Sequence, residues 1–204
     1  MEWLDKKEKS SVVLLCFGSE NYLSAEEVIK MANALETTKC NFIWALRSAG
    51  RGEEKDCLQL PKGFVDRVRD FGLILEWVPQ TKILGHSSTG AFVSHCGWNS
   101  VLESIKFGVP IIAMPMRGAD QPNNARVTVE VGVGMHLPKD SEGKFKIEEI
   151  GDLIRKALVD ESGEGVRKKA RELSLRMKEH GGEELDKAAE KLRHICSKKK
   201  ETYQ

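Results

Sequence analysis

Residues 92–104 read FVSHCGWNSVLES. The stretch opens on an apolar run of strand type and passes into a helical pattern, with Leu102 and Ile105 spaced for a buried face. His95, Cys96, Gly97, Trp98, Asn99 and Ser100 crowd the turn between them. A buried-type strand that feeds a helix through a short turn is the repeating unit of a parallel sheet.

The rest of the chain repeats that unit. SVVLLCF (11–17) reads as a buried strand halted by Gly18-Ser19. Ser24 and Glu27 form a capping box ahead of apolar positions Val28, Met31, Ala32 and Leu35. NFIWALR (41–47), GLILEWV (72–78), GAFVSH (90–95), PIIAMP (110–115) and GMHL (134–137) give further strands. Short helices are expected from Pro61, at PQTKIL (79–84), up to Gly108 as a C-cap, and at DQPNNARVTVEVG (120–132). Residues 48–60 read as a polar loop. From Ile147 the pattern becomes two or three charged amphipathic helices, broken at Gly163–Gly165 and at Gly181-Gly182, and residues 197–204 read as a frayed tail. The expected fold is α/β, a Rossmann-like parallel sheet flanked by helices.

Composition narrows the function. The 204 residues are enough for one large domain or two modest ones, burying roughly 70% of the unfolded surface. A net charge of +1 gives no basic excess for nucleic acid. The longest apolar run, 12–17, is too short to span a bilayer, and residues 1–11 lack a signal-peptide core. Five scattered cysteines (Cys16, Cys40, Cys57, Cys96, Cys196) without CxxC spacing favour reduced thiols and a cytoplasmic location. There is no GxGxxG after the first strand, no GxxxxGK[ST], no GxSxG, and no Cys/His or Asp-x-Asp cluster. No cofactor or metal is expected.

In a parallel sheet, ligands bind beyond the carboxyl ends of the strands. FGS, HCGWNS and DQ each follow a strand, so the topology gathers them on one rim. Gly97 allows a tight bend or a close approach to a ligand. Trp98, Asn99 and Ser100 fill a first helical turn, whose free N–H groups and dipole suit a phosphate; His95 adds a donor. The plainer alternative is that Asn99 or Ser100 caps the helix. Glu103 shares their face and suits a ribose diol, unless it is a solvated surface carboxylate. Trp77 is either core or a stacking platform for a base, with Gln80 beside it. Asp120 and Gln121 suit sugar hydroxyls, unless Asp120 simply caps the next helix.

The run WVPQTKILGHSSTGAFVSHCGWNSVLESIKFGVPIIAMPMRGADQ (77–121) resembles the signature box of plant UDP-sugar-dependent glycosyltransferases of secondary metabolism. The flanking SVVLLCFGS and NFIWALR are similar to that family too. KFGVPIIAMPM followed by DQPNNARVTVEVGVG most resembles the branch that extends the sugar of an existing glycoside. The resemblance implies the C-terminal domain of a GT-B enzyme. Residues 1–196 would bind the UDP-sugar donor, with a 11–137 core and 147–196 as C-terminal helices. It implies Trp77 on uracil beside Val78 and Gln80, and Glu103 on the ribose. It implies His95, Gly97, Asn99, Ser100 and Ser19 around the diphosphate. Trp98, Asp120 and Gln121 would face the sugar, with Gln121 accompanying glucose. The donor would be UDP-glucose or a related UDP-sugar, and the acceptor a small-molecule hydroxyl.

Two departures bear on this. Met116-Arg117-Gly118-Ala119 is one residue longer than the family's usual spacing before Asp120. Family members are also more than twice this length, with an N-terminal half that carries the acceptor pocket and the catalytic histidine and aspartate. No residue here matches that pair, so no catalytic residue is assigned: His86, His95, His136, His180 and His194 are not promoted to general base. The expected reading is a donor half acting with an N-terminal half. The alternative is a truncated, non-catalytic UDP-sugar-binding module.

Overall fold

The computed structural model describes residues 1–47, 60–116 and 118–201. The loop expected at 48–60 lies outside the described residues up to residue 59, as do Arg117, residues 202–204 and the side chains of His194 and Cys196. The chain runs α1 (Glu2–Asp5), β1 (Val12–Cys16), α2 (Ala25–Thr38), β2 (Asn41–Ala45), α3 (Phe64–Val68), β3 (Gly72–Leu75) and α4 (Gln80–Leu84). It continues through β4 (Thr89–Ser94), α5 (Trp98–Phe107), β5 (Ile111–Ala113), α6 (Gln121–Glu130) and β6 (Gly134–His136). A 3-10 turn at Ile147–Glu149 leads into α7 (Ile150–Leu158), and another at Glu161–Gly163 into α8 (Glu164–Glu201).

The six strands form one parallel sheet in the order β3-β2-β1-β4-β5-β6. That is the Rossmann order, and it reverses direction between β1 and β4. All five residues of β1 are buried, because helices cover both faces of the sheet. Val13 and Leu15 pack with Val28, Met31 and Leu35 of α2 and Ile150 and Ile154 of α7. Val12 and Leu14 point the other way, toward Leu4 of α1 and Ile83 and Leu84 of α4. A third cluster joins Cys96 and Val101 to Ile111 and Ala125, seating α5 and α6 beside β5.

Local chemistry sets the boundaries. The capping box is present: Ser24 Oγ accepts from the Glu27 N–H at 3.3 Å, and Glu27 Oε2 accepts from the Ser24 N–H at 2.8 Å. α5 stops at Gly108, whose φ of 70° is left-handed. α8 then crosses that end, with Ser174 Oγ donating to the Lys106 carbonyl at 2.6 Å. One expected break is absent: α8 runs through Gly181-Gly182 and on to Glu201, past residue 197 where a tail was expected. Each glycine costs about 1 kcal/mol in a helix, and strong helix formers on both sides outweigh that. Among the described residues no helix is long and apolar enough to cross a membrane.

The β1–β4 pairing, which sets the relation of the two halves of the sheet, contains a bulge. Val12 pairs with Thr89 and Val13 with Ala91, leaving Gly90 as the extra residue. A Cβ there would lie 2.3 Å from the Ser10 carbonyl oxygen and 2.7 Å from a Leu158 methyl. Gly90→Ala is therefore expected to lose about 1–3 kcal/mol of stability. Urea denaturation checks this; an unchanged midpoint would show that the bulge relaxes freely.

Candidate functional site

Because the connections from β1 and β4 leave in opposite directions, a crevice opens at the carboxyl ends of these two strands. It forms a cleft of about 420 Å³. β1 supplies Cys16 and, just beyond it, Gly18 and Ser19; β2 supplies Ala45 and then Arg47. The segment after β3 supplies Glu76, Trp77 and Val78, and α4 supplies Gln80. The β4–α5 turn and first helical turns supply His95, Gly97, Trp98, Asn99, Ser100 and Glu103.

Trp77 is 74% exposed. It follows β3, which among the described residues is an edge strand of the sheet. The core alternative for this indole is therefore overturned, and it stands as an apolar plate at the mouth of the cleft. Val78 behind it is buried, and its carbonyl accepts from the Gln80 N–H at 2.9 Å. Gln80 Nε2 donates to Glu103 Oε2 at 2.9 Å and to Ser100 Oγ at 3.1 Å. One carboxamide thus fixes a carboxylate and a hydroxyl that lie three residues apart on α5, on one face.

α5 begins at Trp98 after Gly97, with no side-chain cap. Neither Asn99 nor Ser100 caps it, so the capping alternative fails and the first turn presents its N–H groups to the cleft. The backbone reason for Gly97 differs from the expected tight bend. Its φ is −58°, and the left-handed residue is Cys96 at φ 62°. Glycine is needed for a close approach: a Cβ at Gly97 would lie 2.5 Å from His95 Nε2, and one at Gly18 2.8 Å from it. The imidazole edge is held between two glycines. Cys96, fully buried, carries a conformation that costs about 1–3 kcal/mol for a side-chain-bearing residue. Its thiol is pushed up to about 12 by burial and stays neutral. Burial also raises the Cys16 thiol, against the opposing Gly18 backbone and Arg47.

Asp120 and Gln121 do not line the cleft with the others. Asp120 starts α6 but makes no side-chain cap; its Oδ2 accepts from Asn124 Nδ2 at 2.9 Å. Gln121 is buried and its Oε1 accepts from the Met116 N–H at 2.8 Å. Sequence reasoning missed Arg47 and Glu76. Arg47 Nη1 donates to the Ser19 carbonyl at 2.7 Å, and its guanidinium lies 5.9 Å from the Tyr22 ring centroid. Both residues follow strands, so the same rim argument that picked FGS and HCGWNS would have found them. His86 pairs with Asp5 at 3.0 Å, ahead of β4 and so at the opposite end of the sheet from the cleft. Among the described residues no three His, Cys, Asp or Glu side chains gather as metal ligands would.

His95 is buried, and its Nδ1 has no hydrogen-bond partner among the described residues. Burial pushes its pKa below the ordinary 6.5, while the Cys16 backbone and Asp120 pull it partly back. The unfolded chain then binds the proton more readily than the folded one. Stability is full above pH 6.5 and falls as pH drops from there toward the lower folded value. Thermal midpoints measured between pH 5 and pH 7.5 should show this slope, and His95→Gln should flatten it; an equal slope in the variant would assign it elsewhere.

Residues 2–187 match the family described as UDP-glucoronosyl and UDP-glucosyl transferase. A Panax ginseng protein named UDP-glucosyltransferase 29 is 56% identical over 98% of this chain, which covers 45% of that relative. A cyanidin-3-O-glucoside 2-O-glucuronosyltransferase from Bellis perennis is 51% identical over 91% of the chain and 41% of its own length. A crystal structure of a ugt transferase from Siraitia grosvenorii in complex with UDP matches with a TM-score of 0.77 and 40% identity, over 87% of this chain and 43% of the other. The chain thus spans less than half the length of these relatives. On the match over residues 2–187, the chain belongs to the UDP-glucoronosyl and UDP-glucosyl transferase family, and its doubly wound sheet is the matching half of a GT-B glycosyltransferase fold.

Proposed function

We propose that residues 1–196 bind the donor UDP-glucose, or a related UDP-sugar, for inverting transfer to a hydroxyl of a small-molecule acceptor. The observation that carries this reading is one cleft holding an exposed indole, a Gln80-oriented Glu103 carboxylate and an uncapped helix N-terminus. Each suits one part of a nucleotide sugar. Trp77 with Val78 and Gln80 would take the uracil, by stacking and polar contacts at its edge. Glu103 offers two acceptor oxygens to a ribose diol. The first turn of α5, with Asn99, Ser100, His95, Gly97 and the Ser19 loop, would take the diphosphate. Trp98, Asp120 and Gln121 would lie toward the sugar.

The chemistry follows from that placement. An acceptor hydroxyl attacks the anomeric carbon while the bond to the diphosphate breaks, so negative charge grows on the leaving oxygens. Fixed N–H dipoles at the α5 N-terminus are aimed where that charge develops. His95 is buried with its ring against Gly18 and Gly97, and no general base is assigned in this chain. In this proposal the base and the acceptor pocket come from a facing N-terminal half, as the relatives' greater length supports. The Bellis relative's name describes an enzyme acting on a glucoside, which supports an acceptor that already carries a sugar. The free thiols of Cys16, Cys40 and Cys96 support a reducing, cytoplasmic setting.

Calorimetric titration with UDP and with UDP-glucose tests the donor site. Saturable binding is expected, weakened about 5–150-fold by Trp77→Ala if stacking contributes its usual 1–3 kcal/mol. A folded chain that binds neither ligand would refute the autonomous donor site. Binding without transfer to any acceptor would favour the non-catalytic module.

A further inference from the structure

Asn124 lies in α6, one turn beyond Asp120, and nothing in the motif reasoning singled it out. Its side-chain nitrogen has two hydrogens, and both are used. Nδ2 donates to the Cys96 carbonyl at 3.0 Å and to Asp120 Oδ2 at 2.9 Å. The first acceptor is 28 residues away in the chain. It belongs to the left-handed residue of the β4–α5 turn, between His95 and Gly97. The Cys96 N–H is held from the other side by Ser94 Oγ at 3.1 Å, and its side chain is fully buried. The second acceptor is a carboxylate that does not cap its own helix and so has no local reason to stay put.

We infer that Asn124 is a positioning residue of the cleft: its carboxamide locks the Cys96 turn and the Asp120 carboxylate to each other, so that the diphosphate end and the sugar end of the site are set as one unit. This rests on the donor-site reading above. No other side-chain type of that size does the same work. Aspartate would put acceptors against two acceptors. Alanine would leave the Cys96 carbonyl without its partner and free Asp120 to rotate. The bond also ties α6 to the turn where α5 starts, alongside the shared Cys96–Val101–Ala125 cluster. Neighbouring Asn123 is exposed and makes no such bridge.

The test is a mutant cycle on the chain itself: Asn124→Ala, Asp120→Ala and the double variant, with Asn124→Asp as an isosteric second probe and Asn123→Ala as control. Two readouts are taken at a temperature where every variant is folded. The first is the UDP-glucose dissociation constant by calorimetry. Asn124→Ala and Asp120→Ala are each expected to weaken it roughly tenfold, and the double variant to be no worse than the worse single within about twofold, because the two act as one unit. The second is hydrogen exchange of the Cys96 amide without ligand. It is expected to quicken in Asn124→Ala and Asn124→Asp while amides of Leu14 and Val93 keep their protection. A purely structural asparagine would lower thermal stability yet leave the dissociation constant and the Cys96 amide unchanged. That result, or losses that multiply in the double variant, overturns the inference. Should the parent chain fail to bind UDP-glucose, the donor reading falls, and the Cys96 exchange alone decides whether the lock exists.

Discussion

A helix that starts without a side-chain cap leaves its first N–H groups to find partners elsewhere, and α5 starts that way. Everything around it preserves that end. β4 delivers it to the point where the sheet changes direction. Cys96 takes a left-handed conformation so that the chain turns sharply into the helix. Gly18 and Gly97 lack side chains so that His95 can lie flat between the loops. Helix α8 returns across the far end of α5 through Ser174, bracing it from behind. The cost in local strain is small beside the burial of β1, β4 and β5, which holds the turn in place.

Much of this was legible in the sequence, for identifiable reasons. Strands buried on both faces run largely apolar, so SVVLLCF, GAFVSH and PIIAMP stood out, and β1, β4 and β5 lie within or close to them. Ser24 with Glu27, and Gly108 with Pro110, are local signals that tertiary contacts had no reason to override. Gly181-Gly182 misled because a glycine pair only weakens a helix, and propensity summed over a long charged helix outweighs it. Gly97 was expected to serve either a tight bend or a close approach to a ligand, and it serves a close approach to His95 instead. A glycine in a turn suggests an unusual φ, but the unusual φ belongs to Cys96 and the glycine answers to the His95 ring. No one-dimensional signal distinguishes those two uses.

The sugar end shows the limit of motif reasoning more clearly. Asp120 and Gln121 are adjacent in sequence yet take different tasks in the structure. Gln121 turns inward and closes the loop from Met116 through its side-chain oxygen. A Cβ at Gly118 would lie 2.5 Å from its amide nitrogen, so Gly118 packs directly on Gln121. Met116 and Gly118, in the segment before Asp120, thus both touch the side chain expected to read the sugar. Sugar choice in the proposed donor site then depends on loop packing as well as on which residue ends the motif.

Charge bookkeeping shows why the backbone matters so much here. Of the cleft's described side chains, Arg47 is cationic and Glu103 anionic, so the two bring a diphosphate no positive excess. His95 adds nothing at neutral pH, because burial holds its pKa below 6.5. A diphosphate cannot be held by that net charge. It must be met by oriented N–H groups at the α5 N-terminus, where the dipole supplies roughly half a charge and typically 0.3–1 kcal/mol at an exposed site. That is too little to bind an anion alone. Stacking on Trp77 adds about 1–3 kcal/mol, and Glu103 discriminates for hydroxyls, so the proposed site has purchase only on a ligand carrying base, sugar and phosphate together. A partner domain closing over such a cleft would strengthen each of those contacts by excluding water.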